Sequence, residues 1–419
     1  MIEAVDPMRR RRPHVLWVNQ FASLPKDGGG TRHFELGREL VRRGWRVTII
    51  ASDLHLHRRT YTRRAGENVR AAIAESVDGV DIQWVWAASY RVNNWRRAWN
   101  WLSFSGSVGR ICQSISRPDV VIGSSPQLFS ASSARRVARR FSVPFVFEVR
   151  DLWPESLVAA GGRRGPAYKV LDHLARNLYR DADRILVLAR GTQDYLIERG
   201  IAKDKFLHIP NGVDIHLVKP GINNQYTDDK FKLVYAGAHG PANGLEQILD
   251  AAERLRSFSN VRFLLVGDGP IKADLMAEAD RRGLGNVEFQ GAVSKERLVE
   301  IFLTAEAGLM TLRDTPLFSF GVSPNKLFDY LSAALPVICN VPGEVAQMLA
   351  ESGGGLQVTD GSGAALAAGI RKFMSLSCDE RRRMGAAGRD WVRRDHSREV
   401  LGERLDFAMR ELIKDRISP

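Results

Sequence analysis

The sequence predicts an α/β protein built from two doubly wound domains, each with a parallel sheet covered by helices. The chain has 419 residues, more than a single hydrophobic core usually supports, so two domains of about 200 residues are expected. Apolar runs of strand length alternate with amphipathic helical patterns along the chain. Both halves open with a strand, a glycine-containing loop and a helix, at residues 14–43 and 231–255. This repeated order favours βαβ units in both domains.

A glycine loop follows the first predicted strand. Residues 14–22, HVLWVNQFA, form an apolar run of strand length, and a helical pattern ends at Gly44 before a second apolar run, WRVTIIAS. Gly28, Gly29 and Gly30 lie between strand and helix, where glycines let the backbone approach a ligand at the helix N-terminus. The loop is therefore a candidate binding site, although many α/β folds need such glycines for close packing alone.

Two stretches of the first half are rich in arginine. Residues 53–80 are polar and lack clear periodicity, so a mobile excursion is expected there. In the helical stretch that follows, tryptophans and arginines are interleaved. Such a mixture suits a lipid headgroup interface and makes this stretch the candidate acceptor or membrane side. An ordinary helix with its tryptophans in the core fits the pattern equally well. The candidate side chains are Asn94, Trp95, Arg96, Arg97 and Trp99.

Charged residues appear abruptly at the end of a buried strand in the segment VPFVFEVRDLWPES. Open α/β sheets bind ligands at the carboxyl ends of their strands. Arg150 and Asp151 are therefore predicted to reach the site, and they are the catalytic candidates of the first half. A structural ion pair that involves Glu148 or Arg150 is the alternative interpretation.

The second half contains a loop and helix start suited to a phosphate, in FSFGVSPNKLFDYLSAALPVI. Apolar residues at helical spacing follow Ser323 and Pro324, so Asn325, Lys326 and Asp329 lie near the helix start. Free N–H groups and a partial positive charge favour an anion there, and Lys326 adds a full charge. Asp329 is suited to ribose hydroxyls. The pattern predicts a nucleotide ligand; a capped helix with a solvated lysine and aspartate is the alternative.

The net charge of +13 is concentrated in the first half. Residues 1–210 carry 35 basic and 20 acidic side chains. An excess of this kind favours an anionic partner. Because no zinc-finger, RNP or basic-zipper pattern is present, an anionic membrane surface is preferred over nucleic acid. A codon bias towards arginine would explain part of the same excess.

The remaining composition favours a cytoplasmic protein, and a peripheral position on the inner face of the plasma membrane is compatible with it. No run of about 18 apolar residues is present, and the N-terminus lacks the apolar core of a signal peptide. Cys112, Cys339 and Cys378 are far apart in sequence, so neither a disulfide framework nor a metal-spaced set is expected.

Several of these motifs together resemble a known family. The glycine loop, PNGVD at residues 210–214, the strand end VGDGP and the segment PNKLFDYLSAALPVI occur in the order and spacing of retaining GT-B glycosyltransferases of family 4. The resemblance covers nearly the whole chain. EVRDLWPES and SPNKLFDYLSAALPVI are further similar to the branch that includes fucosamine and other N-acetyl-amino-sugar transferases of bacterial surface polysaccharides.

The resemblance implies two Rossmann-like domains facing a central cleft. The Asn211-Gly212 turn and a change in composition mark the boundary. The expected bounds are residues 1–211 for an acceptor-binding domain and residues 212–395 for a donor-binding domain. Residues 396–419 are expected to form a helix that packs back on the first domain.

The family pattern also implies donor-binding residues, with departures. Asp329 matches the second of two glutamates spaced eight apart, but Gly321 stands at the position of the first. Ala238 and Asn243 stand where an arginine and a lysine usually contact the diphosphate. Lys326, together with His239, is expected to compensate. The full donor-binding set is Gly29, Gly30, Asn211, His239, Asn243, Gly267, Asp268, Gly269, Ser323, Pro324, Asn325, Lys326 and Asp329.

The implied reaction is transfer of a sugar from a UDP-linked donor to a glycan or polyprenyl-linked acceptor, with retention at the anomeric carbon. Lys326 and Arg150 are expected near the departing phosphate, and Asp151 is expected to orient the sugar or to handle the acceptor proton. Neither a metal nor a further cofactor is expected, because fixed cations and dipoles can stabilise the leaving group. A UDP-sugar epimerase and a non-catalytic nucleotide-sugar-binding protein are the alternatives.

Overall fold

A computed structural model of the chain describes residues 11–27, 30–56, 58–66, 68–90, 95–159, 161–217, 230–313, 321–358 and 360–417. The chain divides into two compact units. The first comprises Met1–Ile209 together with Leu401–Pro419, and the second comprises Pro210–Val400. Each unit has its own sheet with helices packed on it. The predicted α/β class with two Rossmann-like domains is confirmed.

The first unit is built on a mostly parallel sheet. Its strands are β1 (His14–Val18), β2 (Arg46–Ser52), β3 (Ile73–Val77), β4 (Val80–Val85), β5 (Val120–Ser124), β6 (Phe145–Val149), β7 (Arg184–Val187) and β8 (Phe206–His208). Its helices are α1 (Arg32–Arg42), α2 (Trp95–Ile111), α3 (Leu128–Phe141), α4 (Glu155–Ala159), α5 (Pro166–Asp181) and α6 (Arg190–Glu198). The strand order is β3-β4-β2-β1-β5-β6-β7-β8. In this sheet only the β3-β4 pair is antiparallel.

The second unit has a parallel sheet in the order β11-β10-β9-β12-β13-β14. These strands are β9 (Phe231–Ala236), β10 (Val261–Val266), β11 (Val287–Gln290), β12 (Ala307–Met310), β13 (Val337–Cys339) and β14 (Gly355–Gln357). The helices are α7 (Glu246–Arg254), α8 (Lys272–Arg281), α9 (Lys295–Leu303), α10 (Asn325–Ser332), α11 (Glu344–Ser352), α12 (Gly363–Met374) and α13 (Cys378–Asp395). The last helix of the chain is α14 (Arg398–Ile417).

The core of the first unit includes residues from the end of the chain. Val15 and Trp17 of β1 belong to the same buried cluster as Leu401, Leu405 and Met409 of α14. All five side chains are fully buried. The last helix therefore contributes to the same hydrophobic core as the first strand.

The sheet of the second unit is covered on both faces. Leu233 and Tyr235 of β9 belong to one buried cluster, whereas Val234 and Ala236 of the same strand belong to another. Successive side chains of a strand point to opposite faces, so each face has its own core. The near-continuous apolar sequence of β9 follows from this double burial.

The stretch after β2 is held by charged side chains. Arg64 Nε lies 2.9 Å from Asp53 Oδ2, and both side chains are fully buried. Arg63 lies over the ring of Trp84 at 3.6 Å. In the described part of this stretch Arg63 and Arg64 pair with acidic side chains, whereas Arg58 and Arg70 are exposed. The expectation of a mobile excursion stays a prediction. None of the helices in the described ranges is long and apolar enough to cross a membrane.

Candidate functional site

Both sheets have a point at which the strand order reverses. In the second unit β9 lies between β10 and β12, and in the first unit β1 lies between β2 and β5. Ligands of open α/β sheets bind outside the carboxyl ends of the strands at such a switch point. Gly237 follows β9, α10 follows β12, and Gly30 follows β1. Residues of the predicted sites therefore lie at these two switch points.

Lys326 is held at the switch point of the second unit by neutral partners. Its Nζ donates to the hydroxyl of Tyr235 at 3.0 Å and to Asn243 Oδ1 at 2.9 Å. The same Nζ lies 4.5 Å from the centroid of the Tyr235 ring. The Tyr235 hydroxyl in turn donates to the carbonyl of Ala238 at 2.9 Å. Among the described residues no carboxylate lies within 4.0 Å of Lys326.

The charge of Lys326 is poorly solvated. Burial lowers the pKa of Lys326 to about 8. The lysine is the second residue of α10, which begins after Pro324 without a side-chain cap. Free N–H groups at a helix start carry partial positive charge. A desolvated ammonium without a carboxylate, beside such a helix start, is suited to an anionic ligand.

His239 is enclosed by the turn that follows β10. Its side chain is fully buried, and neither ring nitrogen has a hydrogen-bond partner among the described residues. Its main-chain N–H donates to the carbonyl of Asp268 at 2.8 Å. A Cβ on Gly267 would overlap the carbonyl of Gly237, and Gly267 has a φ of +145°. Glycine is therefore required for this close approach.

His239 is neutral near pH 7. Burial lowers its pKa, and the nearby charges of Lys272 and Lys326 lower it further, against the opposing effect of Asp268. His239 can therefore serve as a hydrogen-bonding group, but it supplies no positive charge to a phosphate at neutral pH. The expectation that it helps Lys326 to neutralise a diphosphate stays a prediction, and the lowered pKa counts against it.

The loop before α10 is tied to the start of the second unit. The main-chain N–H of Asn211 donates to Ser323 Oγ at 2.8 Å, and Asn211 Nδ2 donates to the Ser323 carbonyl at 2.6 Å. Gly321 has a φ of +83°. A glutamate there would be strained, so the backbone itself disfavours the residue that the family pattern expects. Asn325 is exposed, and Asp329 is half-buried in α10.

Arg150 and Asp151 follow β6 and are positioned by one serine of the first unit. Ser125 Oγ accepts the main-chain N–H groups of Arg150 at 2.9 Å and of Asp151 at 3.3 Å. A Cβ on Gly30 would lie 3.7 Å from the Arg150 guanidinium. Arg150 Nε has no hydrogen-bond partner in the described part of the chain. Desolvation raises the pKa of Asp151, and the charge of Arg150 opposes this.

A buried network lies directly beneath these two residues. Glu148 of β6 is fully buried, and its carboxylate contacts Arg32 Nε at 3.0 Å and His33 Nε2 at 2.8 Å. Ser124 donates to the same carboxylate at 2.5 Å. Although burial alone would raise it, the pKa of Glu148 is lowered by His33, Arg32 and Arg150. Glu148 is therefore an anion that ties the start of α1 to the end of β6.

The aromatic residues of α2 divide between surface and interior. Trp95 and Trp99 are 71% and 53% exposed, whereas Phe104 is fully buried. Trp101 packs against Trp153 with ring centroids 5.8 Å apart. Arg97 lies 5.2 Å from the centroid of the Trp101 ring. Of the two interpretations of this helix, core packing therefore applies to one face, and the other face presents its tryptophans to solvent.

Several of the predicted residues are neighbours in space, and others lie outside the described ranges. Lys326 contacts Asn243, Asn211 contacts Ser323, and Arg150 lies beside Gly30. Gly29 and Asn94 are not among the described residues. The residue that prediction missed is Tyr235, which links Lys326 to the Ala238 carbonyl. Tyr235 lies in an apolar strand, and such a position predicts core packing but no contact with a ligand-binding lysine.

Two domain-family models together match most of the chain. Residues 27–212 match the glycosyl transferase 4-like domain, and residues 222–391 match the glycosyl transferases group 1. The putative colanic acid biosynthesis glycosyl transferase WcaI of Escherichia coli K12 is 27% identical over 277 residues, which are 62% of this chain and 67% of that protein. The chain is a two-domain glycosyltransferase. Each half of the chain is thus similar to a different glycosyltransferase domain.

Solved structures support the GT-B fold of this glycosyltransferase. Sucrose-phosphate synthase from Thermosynechococcus elongatus superposes with a TM-score of 0.74 at 16% identity, over 97% of this chain and 100% of that chain. The Anabaena protein Alr3699/HepE, in complex with UDP and glucose, has a TM-score of 0.66 at 14% identity, over 94% and 98% of the two chains. At such identities the likeness concerns the fold alone.

Proposed function

We propose that this glycosyltransferase moves a sugar, an N-acetylated amino sugar, from a UDP-linked donor to a glycan or polyprenyl-linked acceptor. In the proposed reaction the bond between the anomeric carbon and the donor diphosphate breaks. A bond from that carbon to an acceptor oxygen forms with retention of configuration, and the acceptor hydroxyl loses its proton. The product belongs to the synthesis of a bacterial surface polysaccharide.

The surroundings of Lys326 carry this proposal. Its ammonium group lies 2.9 Å from Asn243 Oδ1, and Asn243 stands where relatives are expected to present a lysine. The ammonium group of Lys326 therefore lies beside Asn243, the position at which this sequence lacks the lysine of the family pattern. Its partners are a hydroxyl and an amide oxygen, so its charge is left for an incoming anion. The start of α10 adds a partial positive charge at the same place.

The donor and pathway assignments draw on the relatives. The Anabaena protein was solved with UDP and glucose, which supports a UDP-linked donor here. The Escherichia coli relative is described as a putative enzyme of colanic acid biosynthesis, which supports a role in polysaccharide synthesis. The amino-sugar preference rests on the EVRDLWPES and SPNKLFDYLSAALPVI segments of this sequence.

Each proposed catalytic group has a physical task. Lys326 and the N-terminus of α10 stabilise the negative charge of the departing diphosphate. Arg150 supplies a second cation, and Asp151 orients the sugar or accepts the proton of the acceptor hydroxyl. Because these fixed charges suffice for the leaving group, we propose that turnover needs no metal ion. Activity that survives excess EDTA would support this, and activity lost with EDTA and restored by Mg²⁺ would contradict it.

A panel of nucleotide sugars tests the donor. UDP-linked amino sugars are expected to raise the melting temperature and to be consumed when lipid-linked glycans are supplied. Single-turnover rates of Lys326→Ala and Asp151→Ala are expected to fall by about 100-fold or more. Lys230→Ala, which removes an exposed lysine of the same unit, is the matched control. Wild-type rates in both active-site variants would overturn the residue assignment.

The same assays distinguish the alternatives. Retention predicts an α-linked product from an α-linked donor, which NMR of the anomeric proton measures. Epimerised UDP-sugar without any acceptor would instead identify an epimerase. Donor binding without turnover on any lipid-linked acceptor would support a non-catalytic binding protein, the alternative suggested by Ala238, Asn243 and Gly321.

A further inference from the structure

One face of α2 presents large apolar side chains to solvent. Trp95, Trp99 and Leu102 are 71%, 53% and 46% exposed. Their spacing of four and three residues brings them onto the same side of the helix. The opposite side is buried through residues such as Asn100 and Phe104. Soluble surfaces usually expose large apolar residues singly, so an aligned set indicates a binding surface.

A second segment with exposed apolar side chains is hydrogen-bonded to the coil next to α2. Leu56 and Val69 are 40% and 45% exposed. The segment that contains Leu56 and Val69 is hydrogen-bonded to the coil between β4 and α2, and so is the side chain of Asn100 in α2. Tyr61 Oη donates to the carbonyl of Ala87 at 2.8 Å, and Asn100 Nδ2 donates to that of Ala88 at 2.7 Å. We call the three exposed apolar side chains of α2 the interfacial patch: Trp95, Trp99 and Leu102.

The described charged side chains of α2 and of residues 54–70 have one sign. Helix α2 contains three arginines and no acidic residue. Its exposed arginines, Arg96 and Arg110, are joined by Arg58 and Arg70 of the neighbouring segment. Between residues 54 and 70 the only acidic residue of the sequence is Glu67, which lies outside the described ranges. Exposed tryptophans bordered by arginines match the apolar boundary and the anionic headgroups of a membrane.

We propose that the interfacial patch binds the surface of an anionic lipid bilayer. In this arrangement α2 lies in the plane of the headgroups, with Trp95, Trp99 and Leu102 at the boundary with the acyl chains. The surrounding arginines contact lipid phosphates. A protein partner is less well matched, because neither α2 nor the described part of residues 54–70 offers a carboxylate to pair with the positive charges of a mixed-charge protein surface.

The buried side of α2 leads towards the candidate catalytic residues of the first unit. Asn100 Oδ1 accepts from Gln20 Nε2 at 2.7 Å, and Gln20 follows β1. Trp101 contacts Trp153, two residues after Asp151. Given the proposed function, this connection lets a lipid-linked acceptor approach Asp151 from the bilayer without leaving it.

Vesicle co-sedimentation of the full chain tests the proposal. The probes are vesicles of phosphatidylcholine alone and of phosphatidylcholine mixed equally with phosphatidylglycerol, and no nucleotide sugar is added. We expect binding to the anionic vesicles at least about tenfold tighter than to the neutral ones, and weaker binding at high salt. The double variant Trp95→Ser, Trp99→Ser is expected to lose about tenfold or more in affinity.

Phe407→Ser provides the matched control, because Phe407 is 68% exposed on α14, outside the interfacial patch. This control is expected to bind like the wild type. Arg96→Gln with Arg110→Gln gives an independent variant, which should lose preference for anionic vesicles but not its fold. Unchanged melting temperatures exclude misfolding.

Three results would overturn the proposal. They are no sedimentation of the wild type with anionic vesicles, equal binding by the tryptophan and Phe407 variants, and a concentration-dependent dimer that the tryptophan variant abolishes. Because binding is measured without donor or acceptor, its outcome is independent of transferase activity.

Discussion

The affinity of the glycosyltransferase for UDP is expected to fall by about tenfold between about pH 7 and about pH 9. The perturbation is the titration of Lys326. Burial lowers the pKa of Lys326 to about 8. An ordinary exposed lysine keeps its proton over this range. Here the folded-state pKa is depressed, so the ammonium group is present below about pH 8 and is lost as the pH rises through that value.

The magnitude follows from the protonated fraction of Lys326. With a pKa of about 8, about nine-tenths of the molecules carry the charge at pH 7, and about one-tenth do so at pH 9. If only the charged form binds the diphosphate, the apparent dissociation constant rises by the ratio of these fractions, about tenfold. No carboxylate among the described residues competes for the ammonium group.

Isothermal titration calorimetry with UDP at several pH values measures this dependence. Lys326→Arg is the control, since its guanidinium stays charged throughout and other titrating groups, including the base of UDP, affect both proteins equally. Lys326→Met should bind weakly at every pH. Equal affinities at pH 7 and pH 9, or a parallel fall in the arginine variant, would refute the assignment of the diphosphate to Lys326.

Three further outcomes concern stability. Glu148→Gln is expected to lower the free energy of unfolding by about 3–5 kcal/mol, because Arg32 stays buried without this carboxylate; a loss below about 1 kcal/mol in urea would contradict the pairing. Acidification from about pH 7 to pH 4.5 is expected to lower the melting temperature, because burial depresses the pKa of both His14 and His208 to about 4. The unfolded chain, with a pKa near 6.5, then takes up the protons first, and replacing both histidines by glutamine should flatten the pH profile. Leu405→Ala is expected to cost about 2–5 kcal/mol through the cavity that it leaves, and an unchanged denaturation midpoint would show that α14 adds little to the core.

The fold was predictable because it depends on local patterns. Apolar runs such as HVLWV and FKLVYA are buried on both faces, and that burial requires the continuous hydrophobicity that the sequence displays. The positions of Arg150 after a strand and of Lys326 at a helix start were predictable for the same reason, and their roles stay predictions. Each lies just beyond a recognisable strand or at a recognisable helix start, and the carboxyl edge of a parallel sheet is where ligands bind.

Long-range polar contacts were not predictable from such patterns. A structural ion pair of Glu148 was one interpretation of its segment, but its partners Arg32 and His33 precede it by more than a hundred residues, and nothing in the sequence identifies them. The buried pair of Asp53 and Arg64 was missed because the residue types suggest a solvated loop. Tertiary packing decides which charged side chains are desolvated, and periodicity carries no information about it.

The contribution of α14 to the core of the first unit bears on how the chain folds during synthesis. The second unit is continuous in sequence, from Pro210 to Val400, so all of its residues have been translated before Leu401 and the following residues of α14. The first unit starts earlier but lacks Leu401, Leu405 and Met409 until the ribosome has passed them. Domains usually complete their folding in the order of translation. Here the order is inverted, because the unit whose translation begins first is the last to have all of its core residues synthesised.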